Sequence, residues 1–382
     1  MGAIVVGERK QIEIHTVLKV NSGEMTVKEA LEILQVCERT LRRWLKRFDK
    51  QGIAFIRHGN KGKLPKNKLA TQLKTDVMFY MEKELYDFNM LHALEKIEVK
   101  FNLKLNRETF RRWCHESGLV KKAHNVRRGR PRYKRTRHSR AGFMLQMDGS
   151  PHRWFGTEPT CLIAAIDDAT SEVMGGEFFP TESMMGTFKV LTAIFAKNGL
   201  PSVIYVDRAG IYGGQKRTNF SQLVRALDEL GVQIIYANSP EGKGRVERLF
   251  NTLQDRLIPE MRLAGIATAA EASLYFNEKY LPHMHNPRFA VLPESNVPAW
   301  RPILLNQKLE NIFCIKEKRR VARDHTFSYE GDKFLITTDL KYSIYNHDLE
   351  LRFNAENHMR VIFAGRDLEY TKITKCPKRM AS

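Results

Sequence analysis

The chain has 382 residues, a formal net charge of +20 at pH 7 and a sequence pI near 9.7. This excess of Lys and Arg indicates a polyanionic partner, and nucleic acid is the usual one. No run of about 18 apolar residues occurs, so we predict a cytoplasmic protein with no membrane-spanning helix and no membrane partner. The five cysteines lie far apart without a CxxC pair, which excludes a disulfide framework and a zinc ribbon.

A helix-turn-helix pattern occupies residues 26–48, TVKEALEILQVCERTLRRWLKRF. Apolar residues recur at helical spacing up to Leu34 and again from Leu41, with a short break at residues 35–37 between them. The second helix carries a basic face, as a helix that enters the major groove of DNA does. A supporting helix is expected at residues 8–20. The predicted DNA contacts of the basic face are Arg39, Arg42, Arg43 and Lys46.

A second helix-turn-helix pattern is predicted within residues 66–119. Its third helix, NRETFRRWCHES, starts at Asn106, a residue type that favours helix N-caps. The order Thr, apolar, Arg, Arg, Trp at residues 109–113 repeats that of residues 40–44. For each pattern the alternative is a small helical bundle whose arginines only face water. The predicted DNA contacts of this third helix are Arg107, Arg111 and Arg112.

A basic segment follows at residues 121–140, with ten Lys or Arg and no acidic residue. Such a segment repels itself and cannot be buried, so it forms a linker or an arm. Because it follows two helix-turn-helix patterns, we predict that it contacts DNA phosphates. A solvated linker without a partner is the alternative. The residues assigned to this contact are Arg127, Arg128, Arg130, Arg132, Lys134 and Arg135.

From about residue 141 the pattern becomes that of a folded α/β domain. Apolar runs predict strands that end near Asp148, Asp167 and Asp207, and a long helix is expected at about residues 245–263. The elements come in the order strand, strand, strand, helix, strand, helix, strand, helix. This order predicts a mixed sheet flanked by helices.

Three carboxylates are placed so that this fold could bring them together. Asp148 and Asp207 lie at predicted strand ends, and Glu247 lies in the first turn of the long helix. Three carboxylates can bind two divalent cations, which activate an attacking oxygen and stabilise the leaving oxygen of a phosphodiester. Mg²⁺ prefers such oxygen ligands. The spacing alone leaves open that these acids only cap turns, which is how we interpret Asp167 and Asp168.

Several segments resemble bacterial insertion-sequence transposases of the DDE superfamily, which share the catalytic core of retroviral integrases, and most closely the ISNCY-like group. They are TVKEALEILQVCERTLRRWLKRF, QMDGSPHRWF, LIAAIDDATS, YVDRAGIYGG and SPEGKGRVERLFNTLQDRLIPEMRLAGI. The resemblance covers nearly the whole chain and places the catalytic, metal-binding carboxylates on Asp148, Asp207 and Glu247. It implies a ribonuclease-H-like core and two Mg²⁺ ions per site, for which Mn²⁺ substitutes. It also implies DNA strand cleavage followed by strand transfer.

The chain departs from the family pattern in two ways. The 39 residues between Asp207 and Glu247 are a few more than is usual, and Glu241 is the nearest competitor for the third position. Many relatives carry Lys or Arg seven residues after the Glu, where this chain has Gln254. We expect Lys243 and Arg245 to contact DNA phosphate instead.

The C-terminal part, residues 310–375, consists of short alternating runs that predict four or five strands. A hairpin turn is expected at residues 330–332, Glu-Gly-Asp. Similar transposases and integrases carry an SH3-like β-barrel here, so the resemblance implies a small DNA-binding barrel. A packing or dimerisation module is the alternative.

The predicted fold class is therefore a multidomain α+β protein. Its expected parts are two helix-turn-helix domains, a basic linker, a ribonuclease-H-like integrase core, and a C-terminal SH3-like β-barrel with a tail. The boundaries, in that order, are residues 1–60, 61–120, 121–140, 141–305 and 306–382.

The predicted function is that of a DNA transposase that binds the terminal inverted repeats of a mobile element. It would act on double-stranded DNA, both transposon ends and target, as a homo-oligomer (dimer or higher) at the bacterial nucleoid. One alternative is a catalytically inactive helix-turn-helix regulator derived from a transposase. A structure-specific nuclease of the same fold is another.

Overall fold

The structure is a computed structural model of the chain. It describes residues 7–56, 69–119, 136–206, 217–236, 244–354 and 358–373, and of residues 217–221 it describes the backbone alone. The chain divides into two compact units, Met1–Thr75 and Asp76–Ser382.

The first unit contains the predicted helix-turn-helix. It consists of α1 (Glu8–Asn21), α2 (Val27–Leu34) and α3 (Glu38–Gln51), followed by a 3-10 turn at Gly52–Ile56. A capping box starts α2, in which Thr26 and Glu29 each accept a hydrogen bond from the other's backbone N–H. The three helices enclose a core of Val17, Ala30, Leu34, Leu41 and Phe55. The helix-turn-helix prediction is confirmed.

Three more helices match the second predicted pattern: α4 (Thr71–Lys83), α5 (Met90–Lys100) and α6 (Arg107–Glu116). Asn106 caps α6 as expected, because its side-chain oxygen accepts a hydrogen bond from the N–H of Glu108 at 2.9 Å. Of the apolar residues that define the pattern, Tyr80 is half-buried and Leu91 is 39% exposed, and the others are buried: Val77, Met81, Leu85, Leu94, Ile97, Phe110 and Trp113.

The centre of the second unit is a five-stranded mixed sheet. Its strands are β1 (Met144–His152), β2 (Thr160–Asp167), β3 (Val173–Phe179), β4 (Val203–Val206) and β5 (Gln233–Tyr236). They lie in the order β3-β2-β1-β4-β5, and β1 is antiparallel to β2 but parallel to β4. The intervening helices are α7 (Met184–Asn198), α8 (Arg217–Glu229) and α9 (Gly244–Leu263). This is the predicted element order, and the predicted mixed sheet flanked by helices is confirmed.

Helices cover both faces of the sheet and divide its core in two. On one face α7 and α8 pack against alternate residues of β1 such as Leu145 and Met147. On the other face α9 packs against Leu162, Ala164 and Ile166 of β2, together with α10 (Ala269–Tyr275) and a π-helix at Phe276–His285. A short α11 (Asn286–Phe289) and α12 (Leu309–Ile312) lead to the C-terminal part.

The free edge of β3 is closed by two asparagine side chains. Asn277 donates to Gly176 O at 2.7 Å and accepts from Gly176 N at 3.2 Å. Asn286 pairs in the same way with the backbone of Val173, at 3.0 Å for both bonds. The wider turns of a π-helix bring these asparagines, nine residues apart, to one side. In an α-helix, nine residues make two and a half turns and would point them apart.

The C-terminal part is a β-domain of seven strands in the described residues, more than the four or five predicted. The strands are β6 (Ile315–Arg320), β7 (Thr326–Tyr329), β8 (Asp332–Ile336), β9 (Asp348–Phe353), β10 (Met359–Phe363), β11 (Arg366–Leu368) and β12 (Tyr370–Ile373). They form a four-stranded sheet, β11-β10-β9-β6, and a three-stranded sheet, β12-β8-β7, around one apolar core. The predicted hairpin is present, with Glu330 and Gly331 both at positive φ between β7 and β8. An SH3-like barrel stays a prediction.

None of the described helices combines the length and the apolar character that a membrane crossing requires.

Candidate active site

Asp148 lies on β1, half-buried and opposite Ala164 of β2. Side chains of a strand alternate between its faces, so Gln146, Asp148 and Ser150 share one face. Their cross-strand partners on β2 are Ile166, Ala164 and Leu162, which pack against α9. Asp148 therefore faces the helix that carries Glu247.

The sequence predicted that Asp148 lies at the end of its strand, and this is wrong. β1 continues to His152 because its pairing with β2 runs through to Thr160. Pairing with β4, by contrast, extends along β1 only to Gln146. Asp148 thus lies just beyond the stretch where β1 is paired on both sides, which leaves room beside it.

The second predicted carboxylate, Asp207, lies outside the described residues. The strand before it is present as predicted, since β4 ends at Val206. β4 is parallel to β1 and adjacent to it, so the two strands run in the same direction. Within the described part of the chain, no three His, Cys, Asp or Glu side chains are grouped closely enough to hold a metal ion.

Glu247 is exposed in the first turn of α9. The helix buries one stripe against the sheet, made of Val246, Leu249, Phe250, Leu253 and Leu257. Glu247 borders this stripe, so its carboxylate can extend past the packed side chains. Glu247 therefore lies in the first turn of a long amphipathic helix, as predicted.

A further carboxylate, Glu182, touches β1 from the face opposite to Asp148. Its side chain lies over Gly149, where a Cβ atom would come within 2.7 Å of the Glu182 carboxyl carbon. A larger residue at position 149 would require the Glu182 side chain to move. Burial, with the negative charge of Glu182 and Asp148 nearby, raises the pKa of the Cys161 thiol to about 12. The N-cap of α7 is Ser183 and not Glu182, since the Ser183 hydroxyl accepts a hydrogen bond from Gly186 N at 3.0 Å.

Asp167 and Asp168 shape the turn after β2, in agreement with their interpretation from the sequence. Asp167 accepts hydrogen bonds from the backbone N–H groups of Ala169, Thr170 and Gly142 at 2.6–2.9 Å. Asp168 is fully buried and accepts from the Gln146 side chain at 2.7 Å and from His138 N at 3.0 Å.

Arg245, predicted to contact DNA phosphate, has another partner. Its guanidinium pairs with the Asp168 carboxylate, and its side chain is only 14% exposed. Two turns beyond Glu247 on the same helix, the Gln254 side chain donates to Ser150 Oγ at 3.2 Å. The Gln254 contact joins α9 directly to the face of β1 that carries Asp148. The Arg245 contact reaches the same face through Asp168, which also accepts from Gln146.

The predicted DNA contacts on α3 and α6 are all exposed. Arg39, Arg42, Arg43 and Lys46 lie on the side of α3 opposite the buried Leu41, and Arg42 pairs with Glu38 at 2.5 Å. On α6, Arg111 and Arg112 make longer pairs, at 3.6 Å with Glu108 and at 3.9 Å with Glu116. Such exposed pairs contribute little to stability, so these cations are available to a polyanion. The contacts assigned to residues 127–135 and to Lys243 lie outside the described residues.

A buried carboxylate near the end of α9 has a signal in the sequence. Glu260 continues the buried stripe of α9, three residues after Leu257, and is 2% exposed. Its carboxylate bonds to His92 and Lys96 of α5 at 2.7 and 2.6 Å. An acid on the apolar face of an amphipathic helix indicates a buried partner, which the sequence does not identify.

Comparisons with known proteins agree with this architecture. A family model described as a winged helix-turn-helix matches residues 14–73, which contain α2 and α3. A protein of Sinorhizobium fredii (strain NBRC 101917 / NGR234) that carries the name transposase y4bF is 32% identical over 391 residues, covering 98% of this chain and 83% of that protein. The transposase for insertion sequence IS1202 of Streptococcus pneumoniae is 28% identical over 336 residues, covering 76% of this chain and 72% of that protein.

Similar solved structures come from retroviral integrases. The HTLV-2 integrase catalytic core domain in complex with magnesium is 15% identical, with a TM-score of 0.30, covering 37% of this chain and 91% of that one. An integrase chain of the simian T-cell lymphotropic virus intasome is 14% identical, with a TM-score of 0.34, covering 75% of this chain and 96% of that one.

The helix-turn-helix, the mixed sheet and the transposase relatives define a nucleic-acid-cutting enzyme of the DDE type. The chain belongs to the family of insertion-sequence transposases.

Proposed function

We propose that this transposase cleaves and joins DNA at a two-metal site formed by Asp148, Asp207 and Glu247. The observation that carries the proposal is the shared face of Asp148 and α9. It directs a strand carboxylate toward the helix whose first turn presents Glu247. Asp207 follows directly on β4, the parallel neighbour of β1, and completes the set.

These side chains fit hard divalent cations, since carboxylate oxygens are the ligands that Mg²⁺ prefers and Mn²⁺ accepts. When bound, two such ions polarise the scissile phosphate and lower the pKa of the attacking oxygen. The carboxylates fix where these charges lie relative to the DNA backbone. The sheet holds Asp148 rigidly, so little reorganisation is needed during the reaction.

The DNA partners are the ends of a mobile element and a target duplex, at the bacterial nucleoid. The exposed basic face of α3 binds the DNA of an element end, and the arginines of α6 add a second contact to that DNA. The core then uses water to cleave one strand into a 3′-hydroxyl and a 5′-phosphate. At the same site, that 3′-hydroxyl attacks a phosphodiester of the target DNA, and the 3′-oxygen of the target strand leaves. Because two ends must be joined to one target, the active form is a homo-oligomer.

The test uses full-length protein with labelled element ends and target DNA in Mg²⁺ or Mn²⁺. Wild type should give cleavage and strand-transfer products. Asp148→Asn, Asp207→Asn and Glu247→Gln should each lose them by at least about 10²-fold, since each removes a ligand charge. Binding of labelled ends should be unchanged in all three variants.

Glu241→Gln is the matched control, because Glu241 is the other acid near the expected position. It should retain strand transfer. If Glu241→Gln is inactive and Glu247→Gln active, the third carboxylate is assigned wrongly. Retained activity in all three variants would reject the site. End binding by wild type without any cleavage would instead identify a regulator.

A further inference from the structure

Helix α9 is attached at two points beside the stretch of β1 that carries Asp148, and the first is a buried ion pair with Asp168 in the turn after β2. Asp168 is 0% exposed, and its Oδ1 accepts hydrogen bonds from both Gln146 and Arg245. Gln146 lies two residues before Asp148 on the same face of β1. The guanidinium of Arg245 therefore connects the first turn of α9 to one flank of Asp148, through Asp168.

The second point of attachment is on the other flank. Gln254 donates to the hydroxyl of Ser150, which lies two residues after Asp148 on the same face. Ser150 is itself held, since its carbonyl accepts a hydrogen bond from the Trp154 indole at 2.9 Å. Glu247 and Gln254 are seven residues apart, close to two full turns, so they lie on the same side of α9.

The spacings of the two attachments match. From Gln146 to Ser150 is four strand residues, about 13 Å. From Arg245 to Gln254 is nine helix residues, about 13.5 Å. Both Asp148 and Glu247 therefore fall between the two attachments. A slip or rotation of α9 that moved Glu247 would have to break one of them.

We propose that Asp168 and Arg245 are positioning residues that hold Glu247 opposite Asp148 before metal binds. This inference rests on the proposed metal site. Arg245 lies two residues from Glu247 in a helix turn whose first N–H groups have no intrahelical acceptor, where fraying begins. A buried carboxylate in the turn directly after β2 is a firmer attachment for the first turn of α9 than a solvated one, because Asp168 has no contact with water and Arg245 is only 14% exposed.

The competing role for Arg245 is the phosphate contact predicted from the sequence. The two roles give opposite results for Asp168→Asn. If Arg245 binds phosphate, removing the charge of Asp168 releases the guanidinium and strengthens DNA binding. If the pair positions Glu247, Asp168→Asn and Arg245→Gln impair the same step in the same direction, and the salt dependence of DNA binding stays that of wild type.

Two measurements on the metal-free and metal-loaded full-length protein test this without relying on turnover. Hydrogen exchange reports the opening of α9 at amides 248–252, whose acceptors lie in the first turn. Mn²⁺ affinity, measured from the loss of the free-ion EPR signal, reports whether the carboxylates are positioned to bind metal. Arg245→Gln should speed exchange at these amides and weaken Mn²⁺ binding about 10-fold or more, as loss of a supporting contact to a metal ligand does. Arg245→Lys should recover part of both.

A double-mutant cycle separates this proposal from the site itself. In the Glu247→Gln background, Arg245→Gln should leave Mn²⁺ affinity unchanged, because there is no Glu247 to position. Additive losses would overturn the positioning role. The positioning role is also overturned if Arg245→Gln has the hydrogen exchange and the Mn²⁺ affinity of wild type while Glu247→Gln weakens Mn²⁺ binding. If Glu247→Gln has no effect on Mn²⁺, the proposed metal site fails and this inference with it. Arg245→Gln keeps the test open should Asp168→Asn not fold.

Discussion

Glu260 joins α9 to α5 through a buried carboxylate, and removal of its charge gives a sharp prediction. Its side chain is 3% exposed and receives hydrogen bonds from His92 at 2.7 Å and from Lys96 at 2.6 Å. Burial by itself raises the pKa of the Glu260 carboxyl. The hydrogen bonds from His92 and Lys96 and their charge outweigh it and hold the pKa below the ordinary value of 4.5.

Glu260→Gln keeps the shape of the side chain and removes its charge. Lys96 then loses its anionic partner in a site where Glu260 has almost no contact with water. Breaking a buried pair in this way costs about 3–5 kcal/mol, and because Lys96 is 23% exposed we expect the lower end, about 3 kcal/mol. The loss should appear in the attachment of α5 to α9 rather than in the sheet.

Native-state hydrogen exchange measures this directly, since amides of α5 report the free energy of local opening. The folded-state pKa of Glu260 lies below that of the unfolded chain. Its contribution is therefore complete above about pH 4.5 and is lost as the pH falls through the folded-state value. The difference between wild type and Glu260→Gln should be full at pH 7 and shrink as the pH is lowered below 4.5.

Asp87→Asn is the matched control in the same interface. Asp87 pairs with Arg262 of α9 at 2.7 Å, but the two side chains are about one-third exposed. Solvent screens this pair, so its loss should cost no more than about 1 kcal/mol. If Glu260→Gln costs no more than Asp87→Asn, or if its cost is unchanged at low pH, burial does not determine the strength of this attachment.

Two further predictions concern the layer that covers β3. Asn277→Ala should destabilise the core by about 1–3 kcal/mol and promote aggregation, because both backbone groups of the buried Gly176 lose their partner. Urea unfolding measures the loss of stability, and light scattering measures the aggregation. Wild-type values in both measurements would contradict the prediction. Burial lowers the pKa of His285 to about 4, below its unfolded value of 6.5, so wild type should lose stability as the pH falls from 6.5 to 4. His285→Phe should remove this loss and the exposed His283→Gln should not, and equal pH profiles for both would refute the assignment.

The helices and most strands of this protein follow from local sequence. Caps at Thr26 and Asn106 and the apolar stripes of α3 and α9 act over a few residues, so the chain itself encodes these elements. The turn at Glu330 and Gly331 is local in the same sense. The candidate carboxylates were also predicted from the sequence, chiefly from the motifs that flank them, since Asp148 lies within β1 rather than at its end.

The tertiary structure determines how far these strands pair and which side chains contact each other across elements. The length of β1 beyond Asp148 depends on pairing with β2, and a strand does not specify its neighbour's register by composition alone. Arg245 looked like one more cation for DNA because its charge is visible in the sequence, whereas its partner Asp168 is 77 residues away. The same holds for Glu260 and His92, 168 residues apart. Periodicity records which face of an element is buried, but only the packed chain determines which buried charge lies opposite another.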